Sequence, residues 1–336
     1  VYKRQTQRVT ATFGRFYHDL PIYASGFVHN ADSVFDFIAY DHDPREDPTG
    51  GQVYIGDFLL DENLDLKGQH YDEFTLGYER IVGSGATVGM RGVYRTLREA
   101  VEDANVTGTD DFAWGNPGRG VLSDYPEATR DYYALVLTAS GAVSQSVELR
   151  ASYVLSRTEG NYSGGFNSDL AIPFPNANGA FDYLENMENA DGLLPSDRTH
   201  VFKFSGAWRS RVGLTAGTFV TLASGTPRSI LEGSSHGSPF YNFAQQRGTA
   251  GRTPWLWDVN LRFTYDLGHA LKTTWRPRLI VDVFHLGSPR SEVNYDQVRN
   301  FNQDGAGNQI DPNPTFGLAT RYQPPMTLRA GLEVQF

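Results

Sequence analysis

The sequence predicts an all-β protein, an antiparallel transmembrane β-barrel of which about ten strands are present. Three observations lead to this fold class. Apolar residues recur at every second position in segments of strand length, the connections between segments alternate between short and long, and charged residues fall on the face opposite the apolar one. The apolar runs are far shorter than the ~18 residues that a membrane helix needs, so only strands could cross a bilayer.

Period-two alternation marks each predicted strand. In the last segment Leu328, Ala330, Leu332 and Val334 alternate with polar or small residues, so one face is apolar and the other is not. Each segment runs ~9–13 residues, about the length with which a tilted strand spans a membrane. The ten predicted strands cover approximately residues 6–16, 71–82, 86–98, 131–139, 144–156, 199–209, 213–223, 255–266, 275–285 and 327–336.

The connections favour a membrane barrel over a soluble β-protein. Short connections alternate without exception with long ones that are rich in Gly, Pro, Asn and Asp. Outer-membrane barrels have this arrangement, with short periplasmic turns and long extracellular loops. The short connections are 83–85, 140–143, 210–212 and 267–274, and the long ones are about 17–70, 99–130, 157–198, 224–254 and 286–326.

Charge is distributed in the same way. The long connections hold 30 of the 39 acidic residues, whereas most Lys and Arg lie in the strands and short turns. A strand cation that faces the lumen avoids the few kcal/mol that a lipid-facing charge would cost. Acidic loops above such a lumen would suit a first encounter with a cation. The basic lumen below them would suit the passage of an anion. The candidate lumen cations, which we also predict as ligand-binding residues, are Arg91, Arg95, Arg150, Lys203, Arg209, Arg262 and Arg278, with Arg329 on the same face.

Several functional classes find no support. The chain has 336 residues with a net charge of −10 and an isoelectric point near 5.3, which argues against a nucleic-acid partner. The absence of cysteine excludes disulfides and cysteine nucleophiles, and no HExxH, GxSxG or phosphate-loop motif occurs. We therefore predict no catalytic residue and no cofactor, and membrane lipid as one partner.

The loops offer two weaker candidate sites. The residues Asn302, Asp304, Asn308 and Asp311, and separately the acidic stretch 41–47, carry oxygen ligands that suit Ca²⁺. A solvated surface loop is the alternative in both cases. Loop aromatics such as Trp114 and Tyr241 could stack on a ligand, with packing of loop against loop as the alternative.

Several segments together resemble one family. Residues 194–200 read LPSDRTH before a strand, residues 224–227 read SGTP after one, and residues 257–263 and 279–286 read WDVNLRF and LIVDVFHL. In this order they resemble the barrel of TonB-dependent outer-membrane receptors. The segments YDEFTLGYER (71–80), RFYHDLP (15–21) and NPTFG (313–317) resemble the branch with a carboxypeptidase-regulatory-like N-terminal domain. One departure is that His285 and Gly287 stand where the family usually has asparagines.

The resemblance implies a fold and a function. The family barrel has 22 strands and a plugged lumen, so residues 1–336 would form one partial barrel domain, its C-terminal part, without the plug. The implied function is active uptake of a scarce solute across the outer membrane of a Gram-negative bacterium. Coupling to the TonB complex would require the N-terminal part that this chain lacks, and Phe336 would end the strand that the barrel assembly machinery reads.

Two other interpretations of the sequence remain open at this point. One is a complete ten-stranded outer-membrane barrel resembling a protease, with carboxylates and a histidine above its rim. The other is a soluble β-sandwich that acts as a binding module.

Overall fold

The computed structural model describes most of the chain. The described residues are 6–18, 35–39, 52–56, 58–59, 66–83, 85–107, 112–164, 169, 179–237, 240–268, 276–288 and 290–335. Within them, no helix is long and apolar enough to pass through a membrane.

Ten long strands form one antiparallel sheet in chain order, which confirms the predicted strands and their neighbours. Each strand pairs with the next one along the chain, as in an up-and-down barrel wall. The strands are β1 (Gln7–Tyr17), β2 (His70–Val82), β3 (Ala86–Arg98), β4 (Arg130–Ser144), β5 (Val147–Gly160), β6 (His200–Arg209), β7 (Leu214–Ala223), β8 (Leu256–Asp266), β9 (Arg276–Phe284) and β10 (Thr327–Gln335).

The turn between β4 and β5 differs from the prediction. Residues 140–143, expected to form the turn, are part of β4, and only Gln145 and Ser146 connect the two strands. Gly141 permits the longer strand, because a Cβ there would lie 2.7 Å from the Cα of Ala86 on the neighbouring β3. The register shifts by one residue between Val147 and Glu148, which is a bulge next to the turn.

The sheet is an open arc. In the part of the chain that the structure describes, β1 pairs only with β2, and β10 pairs only with β9. The alternative of a complete ten-stranded barrel is therefore wrong for this structure, since a barrel loses its edges only when its first and last strands pair. The β-sandwich alternative is wrong too, because within the described residues no second sheet covers the apolar face of the arc, whose large side chains are exposed.

The register places apolar side chains on one face across the whole arc. Along one row, Val9 opposes Tyr78, Tyr78 opposes Met90, and Met90 opposes Leu137. The row continues through Tyr153, Phe202, Leu222 and Trp257. Many of these large side chains are exposed, for example Val9 at 70% and Leu332 at 66%. This pattern is typical of a lipid-facing belt.

The five long loops follow alternate strands and lie at the same end of the sheet. We name them L1 (18–69), L2 (99–129), L3 (161–199), L4 (224–255) and L5 (285–326). Their described residues contain short strands and two 3-10 helices. The 3-10 helices are Gly120–Leu122 and Leu184–Met187, and the short strands are Phe35–Ala39, Gln52–Gly56, Phe58–Leu59, Glu102–Asn105, Phe112–Gly115, Gly192–Leu193, Leu231–Gly233, Tyr241–Phe243, Glu292–Tyr295, Asn300–Gln303, Gln309–Pro312 and Ala319–Tyr322.

Most of the buried apolar residues lie in this loop layer rather than in the sheet. The largest cluster joins L2 and L3 through residues such as Leu122, Tyr125, Tyr162 and Phe181. A second cluster joins L3 and L4 and includes Leu231 and Phe243. The loops therefore have a packed core of their own, while the wall presents its apolar face outward.

Candidate functional site

All of the predicted lumen cations lie on the face opposite the apolar belt. Arg91 opposes Gly77 and Val136, and Lys203 opposes Ser152 and Thr221, all of them on the polar face. Alternation along the strands puts the other cations on this face as well. These cations are Arg95, Arg150, Arg209, Arg262, Arg278 and Arg329.

The cations differ in their partners. The Nε of Arg95 donates to Glu73 at 2.7 Å, and an Arg150 nitrogen lies 2.8 Å from Glu148. In contrast, Arg91, Lys203 and Arg209 make no side-chain hydrogen bond or ion pair within the described residues. Their charges are available to a solute or to another part of the protein.

A cavity of about 850 Å³ lies between the upper inner wall and the loops. Its lining combines aromatic and cationic side chains, and Arg95 lies over the Tyr71 ring with 5.9 Å to the centroid. Arg130 donates to the Ser196 hydroxyl at 3.3 Å and to the carbonyl of Ser163. The charged and aromatic lining residues are Phe16, Tyr17, His18, Tyr71, Glu73, Arg91, Arg95, Arg130 and Tyr132. Three arginines against one glutamate make the cavity suited to an anion.

Three neighbouring strands are joined by one carboxylate on the inner face. Asp282 of β9 is 2% exposed and accepts from Arg262 of β8 at 2.6 Å and from Arg329 of β10 at 2.7 Å. The cation of Arg329 also lies 5.1 Å from the ring centroid of Phe284. Arg262, predicted as a ligand-binding residue, is therefore paired with Asp282. The sequence had indicated Asp282 only as part of the segment LIVDVFHL.

The LPSDRTH segment fastens L3 to the wall. The buried Asp197 accepts from the Thr158 amide at 2.7 Å and from Arg252 of L4 at 2.5 Å. Arg198 donates to the carbonyl of Ser224 at 2.6 Å, and burial lowers its pKa. The segment that carries the family resemblance therefore joins L3 to L4 and to the wall strand β5 at the base of the loops.

In the same segment, His200 is the first residue of β6 and makes further contacts with the wall and with L4. Its Nδ1 lies 2.8 Å from the hydroxyl of Tyr153, and its ring stacks on Trp255 at 5.8 Å between centroids. The backbone amide of His200 donates to the Ser224 hydroxyl at 3.0 Å.

A buried ion pair that the sequence did not indicate holds three loops together. Arg247 of L4 is fully buried and lies 2.9 Å from Asp169 of L3. Its guanidinium also donates to the Asn161 carbonyl at 3.0 Å and lies over Phe243. Gln297 of L5 donates to the same aspartate at 3.2 Å. A single arginine in a loop has no pattern by which sequence reasoning could have found it.

The proposed calcium residues form a hairpin turn. Asp304 accepts from the side-chain amide of Asn308 at 3.0 Å and from the backbone amides of Asn308 and Ala306 at 2.8 and 2.9 Å, and these hydrogen bonds lower its pKa. Asn302 donates to Asp311 at 2.8 Å on the flanking strands. In the described residues, no group of three or more acidic or histidine side chains could hold a metal. The stretch 41–47 lies outside the described residues.

The remaining predicted residues are placed as follows. Trp114 is 3% exposed and packs against Val101 in the loop core, so the loop-against-loop alternative describes its position. Tyr241 is half-buried against the L3–L4 cluster. Phe336 lies outside the described residues.

Two carboxyl groups with raised pKa values, those of Asp103 and Asp182, lie where L2 and L3 meet. Burial raises the pKa of Asp103 to about 6. Burial, and then the charge of Asp103, raises the pKa of Asp182 to about 7. The loops meet here, because the Asn105 amide donates to the Asp182 carbonyl at 2.8 Å. Sequence patterns gave no indication of this pair, which depends on contact between distant loops.

These features define a class of protein. A single antiparallel wall with an apolar outer face, a charged inner face, short turns at one end and long loops at the other is an outer-membrane β-barrel wall.

Comparison with known proteins identifies the family more narrowly. No family model matches the chain. The chain is 30% identical over 274 residues to the TonB-dependent transporter Oar of Myxococcus xanthus, which covers 79% of this chain and 24% of that protein. The chain thus spans about a quarter of the length of this curated relative. The resemblance to TonB-dependent outer-membrane receptors is confirmed, and the chain is an outer-membrane barrel segment of that type.

Solved structures agree on the fold. The outer-membrane transporter YddB from Escherichia coli matches 98% of this chain over 38% of its own, with a TM-score of 0.58 and 12% identity. The ferric-catecholate import receptor Fiu from K12 E. coli matches 98% of this chain over 33% of its own, with a TM-score of 0.50 and 10% identity. Both matches support a partial barrel of this type.

Proposed function

We propose that this chain is part of a receptor that takes up a scarce solute across the outer membrane in a TonB-dependent manner. It supplies wall strands and extracellular loops, and residues 1–336 form one partial barrel domain. The single observation that carries the proposal is the inner-wall cavity beneath the loops, which is lined by arginines and aromatic rings. The sequence relationship to a TonB-dependent transporter supports it.

The partners follow from this role. The TonB complex contacts a part of the receptor outside this chain, and the barrel assembly machinery engages the C-terminal strand β10. Membrane lipid covers the outer face. We assign no chemical step to the chain, since its relative and structural neighbours are transporters and receptors rather than enzymes.

The solute that fits the cavity carries negative charge. Arg91 lines the cavity and has no side-chain partner within the described residues, so its charge acts fully on a solute there. Lys203 extends the cationic surface further along the inner wall. These two residues are the best ones to change, because neither holds strands or loops together.

The test is uptake by the complete receptor in cells that depend on it. We expect the double variant Arg91→Glu, Lys203→Glu to lower uptake of anionic solutes about tenfold or more, because charge reversal replaces attraction by repulsion. The matched control is Arg211→Glu, an exposed arginine in the short turn between β6 and β7. Unchanged uptake of every anionic solute in the double variant would contradict the anionic path, and TonB-independent uptake would contradict the whole proposal.

A further inference from the structure

The inner wall carries a second group of polar side chains on β6 to β9, away from the cavity described above. Lys203 of β6, Thr221 of β7 and Asp258 of β8 are successive register partners, so their side chains form one row on the inner face. His285 directly follows β9 and joins the end of this row, because its Nδ1 lies 2.8 Å from a carboxylate oxygen of Asp258. The row therefore has a cation at one end and an imidazole at the other.

The imidazole of His285 is fixed in orientation by two neighbours. Because a carboxylate only accepts hydrogen bonds, Nδ1 carries the hydrogen and donates to Asp258. The other oxygen of Asp258 accepts from Asn260 at 2.7 Å, and Asn260 accepts from the backbone amide of His285 at 3.1 Å. The His285 side chain is 30% exposed, and its Nε2 has no partner in the part of the chain that the structure describes. In the neutral imidazole this Nε2 is a hydrogen-bond acceptor.

The other side chains at this place are also accessible. Lys203 is exposed and Thr221 is half-buried, and neither side chain makes a hydrogen bond or ion pair with another described residue. One step farther from the loops, the ring of Phe219 is 45% exposed between its register partners Ser205 and Asn260. An exposed ring next to a cation, a hydroxyl and an imidazole offers an apolar surface in a polar setting.

The charge at this place favours an anionic ligand. In this row and the next charged row below it, the cations Lys203, Arg262 and Arg329 outnumber the carboxylates of Asp258 and Asp282. Both carboxylates already accept hydrogen bonds from neighbouring side chains. The ammonium group of Lys203 is therefore the charge that remains without a counterion among the described residues.

Each group recognises a different feature of a ligand. An ammonium group binds a carboxylate through a charge-assisted hydrogen bond, Nε2 of His285 accepts from a hydroxyl, and the ring of Phe219 packs against the apolar face of another ring. Lys203 and Asp258 are separated by two strand spacings, which is about 10 Å. With the side chains of Lys203 and His285 extended from the two ends, one sugar ring spans the remaining gap.

We propose that Lys203, Thr221, His285 and Phe219 bind a sugar acid, a ring with a carboxylate at one edge and hydroxyl groups at the other. The carboxylate accepts from Lys203 and from the Thr221 hydroxyl, a ring hydroxyl donates to Nε2 of His285, and the apolar face of the sugar lies on Phe219. The assignment rests on the proposed function, because it names the class of solute at a further place on the same inner wall. A neutral sugar lacks a partner for Lys203, and an acid without hydroxyl groups lacks one for His285.

The experiment measures binding to the complete receptor in detergent micelles by saturation-transfer NMR. The probe is glucuronate, compared with glucose, which lacks the carboxylate, and with cyclohexanecarboxylate, which lacks the hydroxyl groups. We expect glucuronate to bind about tenfold more tightly than either comparison compound. Equal binding of glucose would overturn the carboxylate contact with Lys203, and equal binding of cyclohexanecarboxylate would overturn the hydroxyl contact with His285.

Variants locate the site on the wall. We expect Lys203→Gln to weaken glucuronate binding about tenfold through loss of the charge-assisted contact. His285→Asn should abolish the preference for glucuronate over cyclohexanecarboxylate, an effect that loss of a purely structural histidine would not produce. Asparagine suits this position because residue 285 has a φ of 54°, a left-handed conformation that asparagine adopts readily. The matched control is His236→Asn, the same substitution in L4, where the histidine pairs with Glu185.

The outcome is separable from that of the uptake assay, because binding to the purified receptor requires neither TonB nor transport. Heat-modifiable gel mobility verifies that each variant is folded. Wild-type glucuronate binding by Lys203→Gln, together with a wild-type preference in His285→Asn, would overturn the site even if uptake of anions is TonB-dependent. TonB-independent uptake would contradict the proposed function, whereas the loss of glucuronate binding in Lys203→Gln would still support the site.

Discussion

The guanidinium of Arg247 lies 2.9 Å from the carboxylate of Asp169, and both side chains are almost completely shielded from solvent between the extracellular loops. Asp169 also accepts from Gln297, so one carboxylate joins L3, L4 and L5. An ion pair of this kind is costly to break from one side, because the remaining charge stays buried without its partner.

We therefore expect Arg247→Met to open the loop layer. The cost is about 3–5 kcal/mol for an uncompensated buried charge, and it acts on the loops because the wall strands hold together through their own ladders. Limited proteolysis of the folded receptor should show rapid cleavage in L3 and L4, with the wall intact. Arg321→Met, which changes an exposed arginine of L5, should cleave as the wild type does. Equal protection of both variants would show that the ion pair does not hold the loops.

The carboxylate of Asp282 holds β8, β9 and β10 through two arginines. We expect Asp282→Ala to destabilise the wall by about 1–2 kcal/mol, since Arg262 and Arg329 are half-exposed and water partly compensates them. The measurement is the temperature at which the folded band shifts in a heat-modifiability gel.

The matched control for this prediction is Glu333→Gln. Glu333 lies 3.9 Å from Arg278 on the same two strands, β9 and β10, but is exposed. A surface pair contributes about 0–1 kcal/mol, so this variant should shift the transition little. Equal shifts for Asp282→Ala and Glu333→Gln would contradict a special role for Asp282.

The contact between L2 and L3 should weaken as pH rises. The folded-state pKa values of Asp103 and Asp182 are raised to about 6 and about 7, above the ordinary value of 3.8, so the folded loops bind more protons than the opened loops. The two carboxyl groups therefore contribute their full stabilisation of the loop contact below about pH 4, and this stabilisation is lost as the pH rises through 6 and 7.

Tryptophan emission measures this effect, because Trp114 pairs with Asp103 in the loop hairpin. The difference between wild type and Trp114→Phe isolates its signal, which should shift to longer wavelength between pH 5 and 8. The double variant Asp103→Asn, Asp182→Asn should lose this pH dependence, since neither amide titrates. An identical pH profile in that variant would assign the transition to other groups.

The strands could be predicted because their signal is local. Alternation within each segment requires no knowledge of neighbours, and all ten wall strands were found at their predicted places. The error at 140–143 has the same origin. Small residues such as Gly141 read as a turn in sequence, but here they permit two strands to approach closely.

The candidate site was predictable only in part. Alternation placed Arg91 and Lys203 on the inner face, but their lack of partners became visible only in the structure. The role of Trp114 could not be predicted, because the sequence does not show whether a loop aromatic faces a ligand or another loop. Its burial depends on residues that come together only when L2 folds.

By itself, the sequence determined the strand pattern, the lipid-facing belt, the alternation of turns and long loops, and the resemblance to TonB-dependent receptors. The tertiary structure decided which charges are paired and which are available. It alone showed that Asp282 joins three wall strands, that Asp197 joins the loops to the wall, and that Arg247 and Asp169 meet across 78 positions of chain. The physical reason is range: alternation is set by the backbone repeat of a strand, whereas ion pairs, burial and cavities arise between segments that are distant in sequence.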